Sequence, residues 1–345
     1  MPMLTGRVDF VIGVDTHKQS HTAALVDALG AVLAMRRVST DLGGYRELLE
    51  WARAVAAGRR AWAVEGTGSY GAGLTAHLLE QDEWVCEADR PKRPIHKGGA
   101  KSDELDAVRA AREALSCEHL AQPRRRAERE AVRVLKVTRK QAVEIHSKAV
   151  TQLKVLVLNA PEGLRSQLRG LSSRQLVSTC GRMRRANREV EWTATVSALR
   201  ATARRAQAAA AEVSELEQAL AVLVQSQAPQ LLAERGIGTV VAAQLLCAWS
   251  HRGRLHSEAA FAALAGAAPI PASSGQVVRH RLNRGGDREL NCALRTVVIT
   301  RLASDPRTRD YVDRRRAQGK SDREIQRCLK RYVARHLFRR MEAAA

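Results

Sequence analysis

The sequence predicts a mixed α/β unit at the N-terminal end, a long helical middle, and a second, mainly helical unit. Three observations carry this. Short β-branched apolar runs alternate with helical periodicity over the first 120 residues. Two long Ala- and Arg-rich stretches, 127–158 and 188–225, are nearly free of Gly and Pro. From Pro229 onward, Gly/Pro turns return between shorter apolar helices. The predicted boundaries are 1–120, 121–228 and 229–345. A chain of 345 residues has room for about two compact domains and a connecting segment.

Val8–Val14 (VDFVIGV) reads as a buried strand that runs into Asp15. Thr22–Val26 and Val32–Val38 read as two further strands joined by a turn at Leu29-Gly30. Tyr45–Val55 has helical spacing, with Leu48, Leu49 and Ala52 on one side. Ala61–Val64 is a strand ending in Glu65, Tyr70–Leu79 a helix and Trp84–Ala88 a fifth strand. Lys101–Leu115 is a helix opening on KSDELD. Three strands in series followed by αβαβα imply a mixed sheet with helices on its faces.

In the middle, Val196, Leu199, Ala203, Ala206, Ala210 and Val213 recur at heptad spacing, followed by Leu216, Leu220 and Leu223 after a one-residue slip. This seam suits either a hairpin within one chain or a coiled coil that also pairs protomers. Asn159-Ala160-Pro161 ends the first long helix. Beyond Pro229, Gly236-Ile237-Gly238 precedes an apolar helix to Trp249, and such a turn exposes N–H groups on which a phosphate can dock. Gly266–Gly275 (GAAPIPASSG) is a loop, Arg288–Leu302 a helix, and Ser321 with Glu324 caps a helix in the basic tail.

Composition narrows the function. Lys and Arg total 57 against 36 Asp and Glu, a formal charge of +21, which favours a polyanionic partner. Aromatics are 3%, too few for base stacking to be the main mode of binding. Six cysteines stand singly, without a Cys-x-x-Cys pair, which argues against zinc fingers and a disulfide scaffold. Neither a long apolar run nor a secretory leader is evident, so the expectation is a cytoplasmic protein without a membrane partner.

Four carboxylates stand out. Asp15 and Glu65 end apolar strands, and Asp103 and Asp106 share one face at a helix start. Strand ends and helix starts meet at one edge of an α/β sheet, where ligands bind. Gathered there, four acids would repel one another, and a pair of Mg²⁺ ions would relieve that repulsion and assist phosphoryl transfer. Each acid also has an ordinary use: a turn cap for Asp15, an arginine partner for Glu65, the helix dipole for Asp103 and Asp106. In the second unit, Ser273 and Ser274 lie in the Pro/Gly loop, with Arg279, Arg281, Arg284 and Arg288 following. A serine near guanidinium groups suits nucleophilic attack on a phosphate, although Ser-Ser-Gly is also an ordinary flexible turn.

GVDTHK around Asp15, VEGTGSYG around Glu65 and KSDELDA with Asp103 and Asp106, followed by GIG, the SSG loop and RGGDREL, resemble insertion-sequence transposases of the IS one-ten type. The resemblance implies an RNase H-like (RuvC-like) Asp-Glu-Asp-Asp domain, a central coiled coil and a C-terminal transposase domain. It implies an Mg²⁺-binding tetrad of Asp15, Glu65, Asp103 and Asp106, with Ser274 as the nucleophile that links to DNA. It further implies a prokaryotic, nucleoid-associated recombinase acting on donor and target DNA. A structured non-coding guide RNA would direct it, and a dimer or tetramer would bring one protomer's tetrad to another's serine. Asp287 stands where the family pattern has Asn. Two other readings are a junction-type nuclease that uses the tetrad to activate water, and a non-catalytic nucleic-acid-binding scaffold.

Overall fold

The computed structural model describes residues 4–88, 102–118, 120–123, 127–184, 189–271, 280, 281, 283 and 285–344. The first three strands, β1 (Phe10–Thr16), β2 (Ser20–Asp27) and β3 (Val32–Ser39), pair antiparallel in series. After helix α1 (Leu42–Val55) come β4 (Arg60–Glu65), helix α2 (Ala72–Glu80) and β5 (Val85–Ala88), both strands parallel to β1. The sheet order is β3-β2-β1-β4-β5. The expected mixed sheet is therefore present, with β1 at its centre.

Helix α3 (Asp103–Ser116) lies on one face of this sheet, packed on β1 and β2. Ala110, Ala111, Ala114 and Leu115 form a core there with Val11, Ala61, Ala63 and Cys86. The other face buries Ile12, Val14, Trp62 and Val64 beneath Leu48 and Ala52 of α1 and Leu74 and Leu78 of α2. Continuous apolar runs in β1 and β4 follow from this two-sided cover. Asp27 also ends a strand, β2, but at the opposite edge from Asp15, where its carboxylate accepts from the Leu29 and Ala31 backbone N–H groups.

The long helices are α4 (Ala127–Leu158) and α7 (Val190–Gln227), which pack against each other along their lengths. Two short helices the sequence reading left as connection, α5 (Glu162–Leu168) and α6 (Ser173–Arg182), lie between them. The seam on α7 departs from the heptad reading at two points: Ala209 is buried instead of Ala210, and Val224 is buried where the predicted Leu223 is only half-buried. Val196, Leu199, Ala203, Ala206 and Leu220 are buried as expected.

The C-terminal region is helical: α8 (Pro229–Leu232), α9 (Thr239–Trp249), α10 (Glu258–Leu264), α11 (Arg288–Ser304), α12 (Pro306–Ala317) and α13 (Asp322–Ala343). A two-residue ladder, β6 (Ile270–Pro271) with β7 (His280–Arg281), closes the base of the loop that carries Ser273 and Ser274. Trp249, Phe261, Leu294, Val297 and Leu337 centre this core, which also takes in Val132 of α4 and Leu220 and Val224 of α7. The predicted Ser321–Glu324 capping box is formed at the start of α13. Among the described residues no helix is long and apolar enough to cross a membrane.

Candidate metal centre and its surroundings

Asp15 and Glu65 reach the same sheet edge because β1 and β4 run parallel in register, Val14 opposite Val64. The Thr16 hydroxyl donates to the Glu65 carbonyl at 3.0 Å, tying the two strand ends together. Gly66 then turns the chain at φ +63°, a conformation costly for residues with a Cβ. Helix α3 delivers Asp103 and Asp106 to this edge. Its N-cap is Ser102, whose side chain accepts from the Leu105 N–H.

Close packing sets the position of α3. A Cβ on Gly13 would sit 2.0 Å from the Ala107 carbonyl oxygen and 2.5 Å from the Ala111 nitrogen. Only glycine at this point of β1 lets the helix backbone lie directly on the strand, one turn beyond Asp103.

Asp15 is 7% exposed. His17, just beyond the end of β1, lies between two acids: its Nε2 is 3.1 Å from Asp15 Oδ2 and 3.2 Å from Asp103 Oδ1. These three side chains offer ligand atoms all within 4.8 Å of one another. The sequence reading passed over His17. Its signal was available, since a histidine two residues beyond the strand-end aspartate lies beside the same sheet edge. Arg37 approaches Asp103 at 3.9 Å, and Arg109 donates to Asp106 at 2.8 Å from one turn along α3.

Burial pushes the Asp15 carboxyl above its ordinary value. The His17 side chain pulls the other way, and the negative charges of Glu65, Asp103 and Asp106 add to the upward push. The other three carboxylates thus all bear on Asp15, while among the described residues Asp15, His17 and Asp103 are the ones whose ligand atoms come within reach of a single ion. Crowded acids with an imidazole between them make a donor set that a divalent cation fits, because oxygen ligands and one nitrogen would share its charge.

The other candidate residues lie on the helical C-terminal core. Gly236 and Gly238 line a cavity with Thr239, Thr296 and Thr300, and Gly238 is the N-cap of α9. Gly236 adopts φ +85°. Arg281 on β7 and Arg288 at the start of α11 are exposed. Ser273, Ser274, Arg279 and Arg284 lie outside the described residues. Asp287 accepts from the backbone N–H groups of Glu289 and Leu290, at 2.8 and 3.0 Å, and so caps α11.

Two family models match the chain. One, for an Asp-Glu-Asp-Asp domain of IS110 and described as a transposase, covers residues 12–160. The other, described as the transposase IS116/IS110/IS902 family, covers residues 228–313. A stretch of 94 residues is 35% identical to an insertion element IS110 uncharacterized 43.6 kDa protein of Streptomyces coelicolor. It takes in 27% of this chain and 23% of that relative.

Proposed function

Because this chain belongs to the IS116/IS110/IS902 transposase family, we propose that it is a DNA recombinase that excises and inserts its mobile element. The observation that carries this reading is the cluster of Asp15, His17 and Asp103 beyond the C-terminal end of β1, with Glu65 and Asp106 near enough to act on the Asp15 charge, in a chain of charge +21. The order β3-β2-β1-β4-β5, with an acid at the end of the central strand, supports a RuvC-like Asp-Glu-Asp-Asp domain.

In this reading Asp15, Glu65, Asp103 and Asp106 hold Mg²⁺. When bound, the metal stabilises charge on the oxygens of a DNA phosphate under attack. His17 lies between Asp15 and Asp103 and holds the two carboxylates in position. Arg37 and Arg109 orient Asp103 and Asp106. The Ser274 hydroxyl attacks the phosphorus: an O–P bond forms to serine, the bond from phosphorus to a sugar oxygen breaks with its electron pair on that oxygen, and the proton lost by serine ends there, leaving a free sugar hydroxyl. Arg279, Arg281, Arg284 and Arg288, together with the Gly236–Gly238 turn, hold the DNA backbone. The long α4–α7 hairpin serves as a coiled-coil arm joining protomers, so that one protomer's tetrad meets another's serine.

The low aromatic content supports delegation of sequence choice to a structured guide RNA. Sequencing of RNA that co-purifies with the protein should recover one foldable transcript, and recovery of random cellular RNA alone refutes the guide.

The test of the reaction is strand exchange on DNA carrying the element junction, with trapping of covalent adducts. Wild-type protein should form a protein–DNA adduct, and Ser274→Ala should form none, while Ser273→Ala retains it. Cleavage without any adduct would assign the tetrad to water activation, as in a junction nuclease. Unchanged DNA chemistry in Asp15→Asn would leave only a scaffold.

A further inference from the structure

A large cavity lies on the C-terminal core. It has a volume of about 750 Å³, within the range of ligand sites, and lies between β7, the Gly266–Pro269 turn, α12 and α13. Arg281, Arg315, Lys320, Arg327, Lys330 and Arg331 all contribute to its wall. The one carboxylate on that wall, Glu324, is already engaged, accepting from the Ser321 N–H at 2.9 Å and hydroxyl at 2.7 Å. Nearby Glu258 serves three arginines at once: Arg331, Arg335 and Arg339. Among the described residues no ion pair within 4 Å reaches Arg281, Lys320, Arg327 or Lys330. The single carboxylate of Glu324, which the Ser321 hydrogen bonds and the charges of Lys320 and Arg327 hold below its ordinary value, is shared between those two cations.

This positive charge is held against resistance. Lys330 is half-buried and donates to Asn291 Oδ1 at 3.1 Å. Burial pushes its ammonium group down, and the positive charges of Arg295 and Arg327 add to that push. A fold that gathers excess cations around a concave space gains most from an anion with several oxygens. The same wall carries Tyr332, 51% exposed and edge-on to Tyr311 at 5.7 Å. In a chain so poor in aromatics, an exposed tyrosine beside these cations supplies the second element of single-strand binding, a surface for an unpaired base.

We propose that this cavity binds a single strand of DNA, with Arg281, Lys320, Arg327 and Lys330 on its phosphates and Tyr332 against one unpaired base. Arg281 lies on β7, whose partner β6 ends at Pro271, shortly before Ser273 and Ser274 in the sequence. That the strand is DNA rests on the serine reading given above.

The test is equilibrium binding of a labelled single-stranded DNA oligonucleotide, alongside RNA of the same sequence and the matching DNA duplex. All measurements use the full chain in EDTA on a Ser274→Ala background, so no chemistry is involved. Lys320→Gln with Arg327→Gln should weaken single-strand DNA binding about tenfold and lower the slope of log affinity against log salt by about one. Tyr332→Leu should weaken it about tenfold and leave duplex binding unchanged. Arg327→Glu, on an exposed helix position, should deepen the loss without altering thermal unfolding. Equal single-strand DNA affinity in wild type and all variants overturns the proposal. So does a loss confined to RNA, or one equally large on the duplex. A failed strand-exchange assay with intact single-strand binding would instead count against the serine mechanism alone.

Discussion

Gly13 of β1 touches the backbone of Ala107 of α3 so closely that a single methyl group on the strand would displace the helix. Asp103 is the first residue of that helix, so this contact sets its distance from Asp15. Gly13→Ala is expected to destabilise the chain by about 2 kcal/mol through overpacking. It should also reduce divalent-metal affinity, because α3 must move away from the strand end. Urea unfolding and calorimetric Mn²⁺ or Mg²⁺ titration of the variant check the two effects separately.

Asp15 carries a charge that burial and its acidic neighbours oppose. Its folded pKa lies above the unfolded value, so the folded state binds the proton more tightly. Its contribution to stability therefore improves as pH falls through the folded value towards 3.8, and is least favourable at neutral pH without a cation. Asp15→Asn should raise metal-free stability at neutral pH by about 1 kcal/mol while abolishing DNA chemistry. Added Mg²⁺ should raise the Tm of the wild type and not that of the variant. Thermal melts with and without the ion measure this.

Glu83 shows the opposite sign. Burial alone would push its carboxyl up, but hydrogen bonds from Arg60 at 2.5 Å and from Trp62 Nε1 at 2.9 Å, with Arg53 nearby, outweigh that and hold it below its ordinary value. Its stabilisation is present above about pH 4.5 and is lost as pH falls through the lowered value. Glu83→Gln should cost about 3 kcal/mol at neutral pH by leaving the Arg60 guanidinium buried without its counter-charge. The wild-type advantage should shrink in acid, which paired unfolding curves at neutral and acidic pH would reveal.

Asp287 stands at the start of α11 and uses one carboxylate oxygen to cap two N–H groups. Asp287→Asn should change stability by under about 0.5 kcal/mol, because both side chains cap equally well. Asp287→Ala should cost about 1 kcal/mol. If Asn restored strand exchange well above wild type at unchanged stability, the residue would act on the nucleic acid rather than on the helix.

The sheet and α4 were legible because their signals are strong. Apolar strands ended in isolated acids at Asp15 and Glu65, and α4 ran uninterrupted to Pro161. That Asp15 and Glu65 reach one sheet edge was legible too, since the parallel pairing of β1 and β4 fixes where their ends meet. The seam of α7 was misread at Ala210 because Ala208–Ala211 are identical, and periodicity has no contrast in size to follow there. Helices α5 and α6 were missed because each is short, although Ser172 and Gln175 form a capping box that announces α6. His17 was overlooked because its function depends on Asp103, a neighbour 86 positions away that only folding brings to it.

Helix α4 is an unbroken rod of 32 residues, about 48 Å long at 1.5 Å per residue. Val132 roots its near end in the helical core, where Lys136 and Lys140 both grip Glu289, in the first turn of α11. At the far end, Leu153 and Val157 pack with Leu168 of α5, Leu176 and Cys180 of α6, and Leu199 and Ala203 of α7. Because α7 packs along α4 and is rooted in the same core, the pair moves as one rod, and a tilt of ten degrees at the root sweeps the tip through about 8 Å. Whatever grasps that tip has leverage on α11 through Glu289.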